Sequence, residues 1–354
     1  MQAVALVVEY NPLHNGHLHH IAKAKERFPD AAIIAILNGN FLQRGEPAIL
    51  DKRIRTKWAL EAGVDLVVEL PFAFGTQRAD IFARGAVQIA QGLNAHAIIY
   101  GVENPIPIHP QLKILAANQK LGFFYQKAIT DFAFPLLPIP IPRIHTQYND
   151  TYPTHQHIAS ATTIRTLLAE QQPIDEYVPL YVTEHLREQQ KFLAKIENYF
   201  PYLRYHLTQP KNTLALTQDG SIHNIYKNLE LSPDYATFFT KVHHKHTSKT
   251  HIQRMLTYIL CQVEQKTLDE ATKKPWTRVL GVSSRGQKYL RHLKKHDLLT
   301  IPLIQKLNEL KKPHYQLQYN SIVAYSCITQ LPLHLLLIQE NSHQILFHNN
   351  GGTL

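Results

Sequence analysis

The sequence predicts an α/β fold built on a parallel sheet, and three observations carry that prediction. Four short, β-branched apolar runs, Ala3 to Val8, Ala31 to Leu37, Val64 to Leu70 and Ala95 to Tyr100, have the length of buried strands. Stretches of helical period lie between them. Turn residues close each run: Asn11-Pro12, Asn38-Gly39-Asn40, Pro71 and Gly101. The resulting β-α-β-α-β-α-β order calls for a parallel sheet with right-handed crossovers. At 354 residues the chain is long enough for two domains.

The elements follow in order. After the first strand, Leu18, Ile21, Ala22 and Ala24 mark the inner face of a helix, with Lys23, Lys25 and Glu26 facing out. Phe41 to Pro47 is a loop dense in turn residues and charge. Asp51 caps a helix running to about Gly63, with Ile54, Trp58 and Leu60 partly inward and Lys52, Arg53, Arg55 and Lys57 mostly outward. Thr76 to Gln91 and Leu112 to Ile129 read as helices. Leu136 to Ile144, with proline at alternate positions, resembles an edge strand. Ser160 or Thr162 is a natural N-cap for the helix that follows.

Gln171-Gln172-Pro173 marks the expected end of a first domain. This divides the chain into a ligand-binding unit, residues 1–172, and a mainly helical unit, residues 173–354. Helical stretches are expected over Asp175–Ile196, Tyr199–Leu207, Ile222–Glu230, Pro233–His243, Thr250–Gln265 and Ile301–Leu310. Arg278 to Gln287 reads as turn-rich, before a basic helix carrying Lys288, Arg291, Lys294 and Lys295. Leu331 to Phe347 holds short β-like apolar runs.

The net charge is +10 and unevenly spread. Residues 1–170 hold 15 Lys+Arg against 13 Asp+Glu, and the rest of the chain holds 22 against 14. A basic second half suggests a polyanionic partner such as nucleic acid, although basic surface is also a common solubility device. The Lys241–His251 stretch, rich in His and Lys, is either an RNA contact or a solvated face; His243, His244 and His246 lack a nearby acidic partner for a metal site. No apolar run reaches the length of a membrane span, and the N-terminus enters a strand without a basic leader. Two cysteines, Cys261 and Cys327, lie in apolar surroundings and read as reduced, so a cytoplasmic protein is expected.

The stretch with the most chemistry is Val7-Val8-Glu9-Tyr10-Asn11-Pro12-Leu13-His14-Asn15-Gly16-His17-Leu18-His19-His20. It places His14, Gly16 and His17 where the first strand gives way to a helix N-terminus, the corner at which α/β sheets bind ligands. Two imidazoles spaced i, i+3 could stabilise charge on a phosphate under attack, and Gly16 would let a ligand approach the backbone. A metal pair, or two surface histidines among the chain's 22, are the competing readings. Gly101 ends the fourth strand, where a flat base could rest, or it is an ordinary strand-end glycine. Ser160, Thr162 and Arg165 could form a second anion cradle, or simply a capped helix with an exposed arginine.

These blocks together, VVEYNPLHNGHLHH, GNFLQRGEPAILDKRIR, GVDLVVELPFAF, the Gly101 strand end and IASATTIR, resemble the tRNA(Met) cytidine acetate ligase family of the HxGH nucleotidyltransferase superfamily. The resemblance covers nearly all of residues 1–170 and is weaker beyond. It implies a Rossmann-like HxGH nucleotidyltransferase domain followed by a mainly helical, tRNA-binding one. It also implies activation of acetate by ATP as acetyl-adenylate, with transfer to the wobble cytidine of elongator tRNA(Met) to form N4-acetylcytidine. By motif match, ATP would be held by Val7 to His20, Gly101, Asn118, Arg143 and Ser160 to Arg165, with His14 and His17 on the phosphates and Mg²⁺ accompanying them. Asn118 precedes Leu121-Gly122, and Arg143 precedes Tyr148-Asn149-Asp150, as the family pattern has it. No resident metal site is implied. Lys288, Arg291 and Lys294 are candidate tRNA contacts.

The chain departs from the pattern in three places. It is shorter by about a helix between Gly101 and Asn118, it reads Asn38-Gly39-Asn40-Phe41 for Ser-Gly-Asn-Phe, and it has Asn320 at a typically acidic position. Competing functions are a small-molecule adenylyltransferase, acting on nicotinamide mononucleotide or phosphopantetheine, and an RNA-binding protein with a vestigial nucleotide site.

Overall fold

The computed structural model describes residues 1–103, 117–143, 156–208, 221–243, 247–342 and 345–348. The first strands are β1 (Ala3–Val8), β2 (Ala32–Asn38), β3 (Leu66–Leu70), β4 (Ala97–Val102) and β5 (Leu137–Pro142). They alternate with helices α1 (Asn15–Arg27), α2 (Lys52–Glu61), α3 (Phe72–Gly75), α4 (Ala79–Gly92), α5 (Ala117–Asp131) and α6 (Ala161–Ala169). All five strands are parallel, in the order β5-β4-β1-β2-β3. Their carboxyl ends therefore share one edge, with β1 at the point where the strand order reverses. The proline-spaced β5 takes the outer position, where a missing N–H costs no ladder bond.

Alternation along β1 divides the core. Val4, Leu6 and Val8 face one apolar layer with Trp58, Leu60 and Ile164, while Ala3 and Ala5 face the other with Phe74, Phe82, Ile89 and Tyr125. Both layers are close to fully buried, which accounts for the continuous rather than alternating apolar runs.

Several expectations are corrected. Arg278 to Ser283 is not a turn: β6 (Thr277–Ser283) pairs antiparallel to β3 and is buried throughout. Ser283 then caps the basic helix Ser284–Lys295. The short strands β7 (Leu303–Ile304) and β8 (Leu346–His348) pair with β6. Ile301 to Leu310 is therefore largely non-helical, and a long helix, His314–Thr329, lies beyond it. The expected β-like run contains the helix Leu333–Asn341, started by Pro332, because a short apolar run does not itself distinguish strand from helix. The division at residue 172 stands as a proposal about roles, since the sheet draws strands from both sides of it.

Lys52 and Arg55 are also corrected: both are buried, not outward. Lys52 joins a buried quartet. Its Nζ lies 2.7 Å from Glu69 and 2.9 Å from Glu340, and Arg278 pairs with both carboxylates. Two positive and two negative charges thus satisfy each other where any one alone would be costly. Arg55 instead donates to backbone carbonyls, those of Glu9 (2.8 Å), Asn38 (3.0 Å), Leu50 (2.9 Å) and Gly39. It holds the loops after β1 and β2 together.

The second half packs its own core around Tyr199, Phe238, Leu256 and Tyr325, and Phe41, Phe72 and Ala73 of the first half enter it. Phe41 meets Tyr199 and Tyr325 edge-on. Among the described residues, no helix is long and apolar enough to cross a membrane.

Candidate active site

A cavity of about 270 Å³ opens at the carboxyl edge of the sheet. From the first motif, Val7, Val8, Glu9, His14, Gly16, His17, His19 and His20 line it. Tyr10, Asn11, Pro12, Leu13, Asn15 and Leu18 do not; they shape the loop and helix. Tyr10 takes a positive φ of 48°. Asn11 accepts the Ile49 N–H at 2.6 Å, and Asn15 donates to the carbonyls of His157 and Glu176, both at 2.9 Å. Leu18 packs on the core.

His14 is the N-cap of α1. Its Nδ1 accepts the Gly16 N–H at 3.1 Å, and Nδ1 of His17 accepts the His14 N–H at 3.2 Å. The rings stack, 3.7 Å between centroids, and Tyr10 packs edge-on against His17. These bonds fix the tautomer: a neutral ring that accepts at Nδ1 carries its proton on Nε2. Burial is the main force lowering both pKa values, followed for His14 by Arg143 and Arg165, which bring it to about 3. For His17 burial is followed by His14, Arg143 and His20, and its pKa falls well below the ordinary value. The pair is therefore neutral at pH 7 and offers two Nε2–H donors.

This revises the expectation of free backbone donors at the helix N-terminus. The Asn15 N–H bonds to Tyr177, that of Gly16 to the His14 ring, and that of His17 to the His14 carbonyl. The imidazoles take over the donor role.

The cavity's other walls come from β4, β5 and α5. A side chain at Gly101 would sit 3.1 Å from Cγ of Arg143, so the glycine leaves backbone exposed beside that arginine. Asn118 lines the cavity and donates to Glu103 at 2.6 Å. Arg143 lines it from the end of β5. The Tyr148-Asn149-Asp150 that accompanies Arg143 in the sequence lies outside the described residues, as do His244 and His246.

Ser160, Thr162 and Arg165 are not in the lining. Ser160 is the N-cap, accepting the Thr163 N–H at 3.0 Å, and Thr162 is exposed. Arg165 donates to the Asn11 carbonyl at 2.8 Å and to Glu46 at 3.3 Å, so it braces the loop between β1 and α1. Lys288, Arg291 and Lys294 are exposed on their helix, but that helix packs at the opposite edge: Tyr289 bonds to the carbonyls of Leu93 and Asn94, before β4, and Arg285 to those of Pro29 and Ala31, before β2.

Sequence reasoning passed over part of the lining: Gln43, Arg44, Ala79, Phe82, Tyr100, Leu121, Tyr125, Ile141, Pro142 and Ile158. The charged turn Phe41 to Pro47 was the available signal for Gln43 and Arg44. The aromatic residues carry none, since their spacing is that of core.

The model of the HIGH Nucleotidyl Transferase family matches residues 1–110 and 106–335. The tRNA(Met) cytidine acetate ligase of Geobacillus sp. (strain WCH70) is 33% identical, covering 96% of this chain and 98% of its own. The chain belongs to the tRNA(Met) cytidine acetate ligase family. A further member, from Bacillus subtilis (strain 168), is 33% identical over 97% of this chain and 96% of its own. Among solved structures, Thermotoga maritima TmcAL in its apo form superposes with a TM-score of 0.85 at 23% identity, over 99% of this chain and 100% of that one. The same protein bound with alpha-thio ATP gives 0.82 at 23% identity, with the same coverage. Thermotoga maritima TmcAL thus shares this fold over nearly the whole chain.

Proposed function

We propose that this protein activates acetate with ATP and transfers the acetyl group to the wobble cytidine of elongator tRNA(Met). The observation that carries the reading is the stacked His14–His17 pair, two fixed Nε2–H donors in a cavity that also holds Arg143 and the bare backbone of Gly101. The names of the relatives supply the substrates, and the alpha-thio ATP complex of the Thermotoga protein supports ATP as the nucleotide.

In the first step an acetate oxygen bonds to the α-phosphorus and the bond to the β-phosphate oxygen breaks, releasing pyrophosphate. Negative charge builds on the α-phosphate oxygens. Neutral imidazole donors held by the backbone stabilise it without reorganising. The reaction needs positioning and charge stabilisation, and no covalent enzyme intermediate. In the second step the cytidine amine attacks the acetyl carbon and AMP leaves, the amine losing a proton. Mg²⁺ would enter on the phosphates of ATP, with Glu9 the carboxylate lining the cavity among the described residues. The basic second half is proposed to hold the tRNA.

The test is incubation with ATP, labelled acetate and elongator tRNA(Met), followed by mass spectrometry of the nucleosides. N4-acetylcytidine is expected. Its absence, with turnover of nicotinamide mononucleotide or phosphopantetheine instead, would replace this reading with a small-molecule adenylyltransferase.

A further inference from the structure

The adenylation reading leaves one wall of the cavity without a role: the side facing the loop after β2. Arg143 and Gly101 approach the histidine pair from β5 and β4, on one side of β1. Gln43 and Arg44 approach from β2, on the other. A nucleotide whose base rests at Gly101 and whose phosphates meet Arg143 fills the first side. The acid must then enter from the second, and it is an anion approaching an anionic phosphate. Like charges at that distance repel strongly in a partly buried site unless a cation lies beside the newcomer.

We propose that Arg44 is the residue that binds the carboxylate of the acid substrate and brings it to the α-phosphate. A guanidinium matches the planar, two-oxygen geometry of a carboxylate, and Arg44 is the cation lining this side among the described residues. Its loop is built to be rigid. Leu42 and Glu46 close it by a backbone bond of 2.9 Å, as do Gly45 and Leu42. The Gln43 N–H bonds to Glu9 at 2.9 Å, and its side chain to the Gln77 carbonyl at 2.8 Å. That last bond ties the loop to the segment entering α4, whose Ala79 and Phe82 line the same cavity. They give a short acyl chain an apolar surface within the same cavity.

This assignment rests on the adenylation reading, and the test separates the two. Acetate-dependent ATP–pyrophosphate exchange is measured for the full chain, with ATP binding measured separately by calorimetry. Arg44→Ala should raise the KM for acetate by roughly 10- to 100-fold, leaving the Kd for ATP within about threefold. Added methylguanidinium should restore part of the loss. Arg44→Lys, which keeps a charge and most of the packing, should show a smaller rise and covers the case in which the alanine variant folds poorly. An unchanged acetate KM, or a loss of ATP affinity equal to the loss for acetate, would overturn the assignment. Absence of acetate-dependent exchange in the unmodified protein would overturn the adenylation reading itself, and the role of Arg44 with it.

Discussion

Gly45 gives the sharpest test of how the second half of the chain sets the site. It follows Arg44, has φ +80°, and lies against the helix Lys249–Leu260. A Cβ at this position would stand 2.4 Å from the backbone nitrogen of Arg254 and 2.5 Å from the carbonyl carbon of Gln253. Neither is the movable end of a side chain, so the loop must retreat by roughly 1 Å to restore ordinary contact. The left-handed conformation costs a non-glycine residue about 1–2 kcal/mol. The retreat also strains two buried hydrogen bonds to the Gly45 carbonyl, from Thr257 at 2.6 Å and Tyr199 at 3.3 Å, worth about 1 kcal/mol each. Gly45→Ala should therefore destabilise the protein by about 3–4 kcal/mol in chemical denaturation. A displacement of about 1 Å at Arg44 should also lower kcat/KM for acetate in the exchange assay by roughly 100-fold at temperatures where the variant is folded. Stability within about 0.5 kcal/mol of the parent, or unchanged acetate kinetics, would refute the claim that this contact positions the loop.

Three further outcomes are expected. Because His14 titrates at about 3 in the folded protein and near 6.5 when unfolded, the unfolded chain binds more protons between those values. Stability contributed by the neutral ring is complete above pH 6.5 and is lost as pH falls, by about 2 kcal/mol at pH 5. His14→Asn, which keeps a capping side chain, should remove this part of the acid sensitivity; equal acid loss in both proteins would contradict it. In the buried quartet, burial alone would raise the pKa of Glu340, but Arg278 and Lys52 outweigh it and hold the carboxyl down to about 2. Glu340→Gln should cost about 3–5 kcal/mol in denaturant melts, with part recovered in the double variant that adds Lys52→Met. No coupling in that cycle would mean that the charges act independently. Neutralising Lys288, Arg291 and Lys294 together should weaken tRNA binding and reduce its logarithmic salt slope by about 2–3. An unchanged slope would move the RNA surface elsewhere on the second half.

The first five strands were legible because each is a local pattern: a β-branched run with a turn residue at its end, or prolines that only an edge tolerates. β6 was not. Arg278 and Gly281 within it imitate a turn, and Arg278 is tolerable in a buried strand because Glu69, 209 residues away, and Glu340 share its charge. The same holds for Lys52, whose helical position looks solvent-facing until Glu69 and Glu340 are brought beside it. Charged residues were read as surface because the chain does not display their partners in order. Leu333 to Asn341 failed for a simpler reason: its length and apolarity suit either a strand or a helix, and tertiary contact with the helix His314–Thr329 decided it.

The site divides along the same line. His14 and His17 could be read from sequence because the cap, the reciprocal hydrogen bonds, the stacked rings and the fixed tautomer all occur within one turn of α1, although their neutrality also draws on burial and on Arg143 and Arg165. Arg44 could not, since its place depends on contacts from elsewhere in the chain. Gly45 rests on a helix whose Thr257 lies 212 residues further on, and Glu46 reaches Arg165 on one side and Gln253 on the other. A loop held in this way places its arginine only when both halves of the chain are folded against each other. The side proposed to receive the phosphates is thus set largely by local structure, whereas the side proposed to receive the acid depends also on the half of the protein proposed to hold the tRNA.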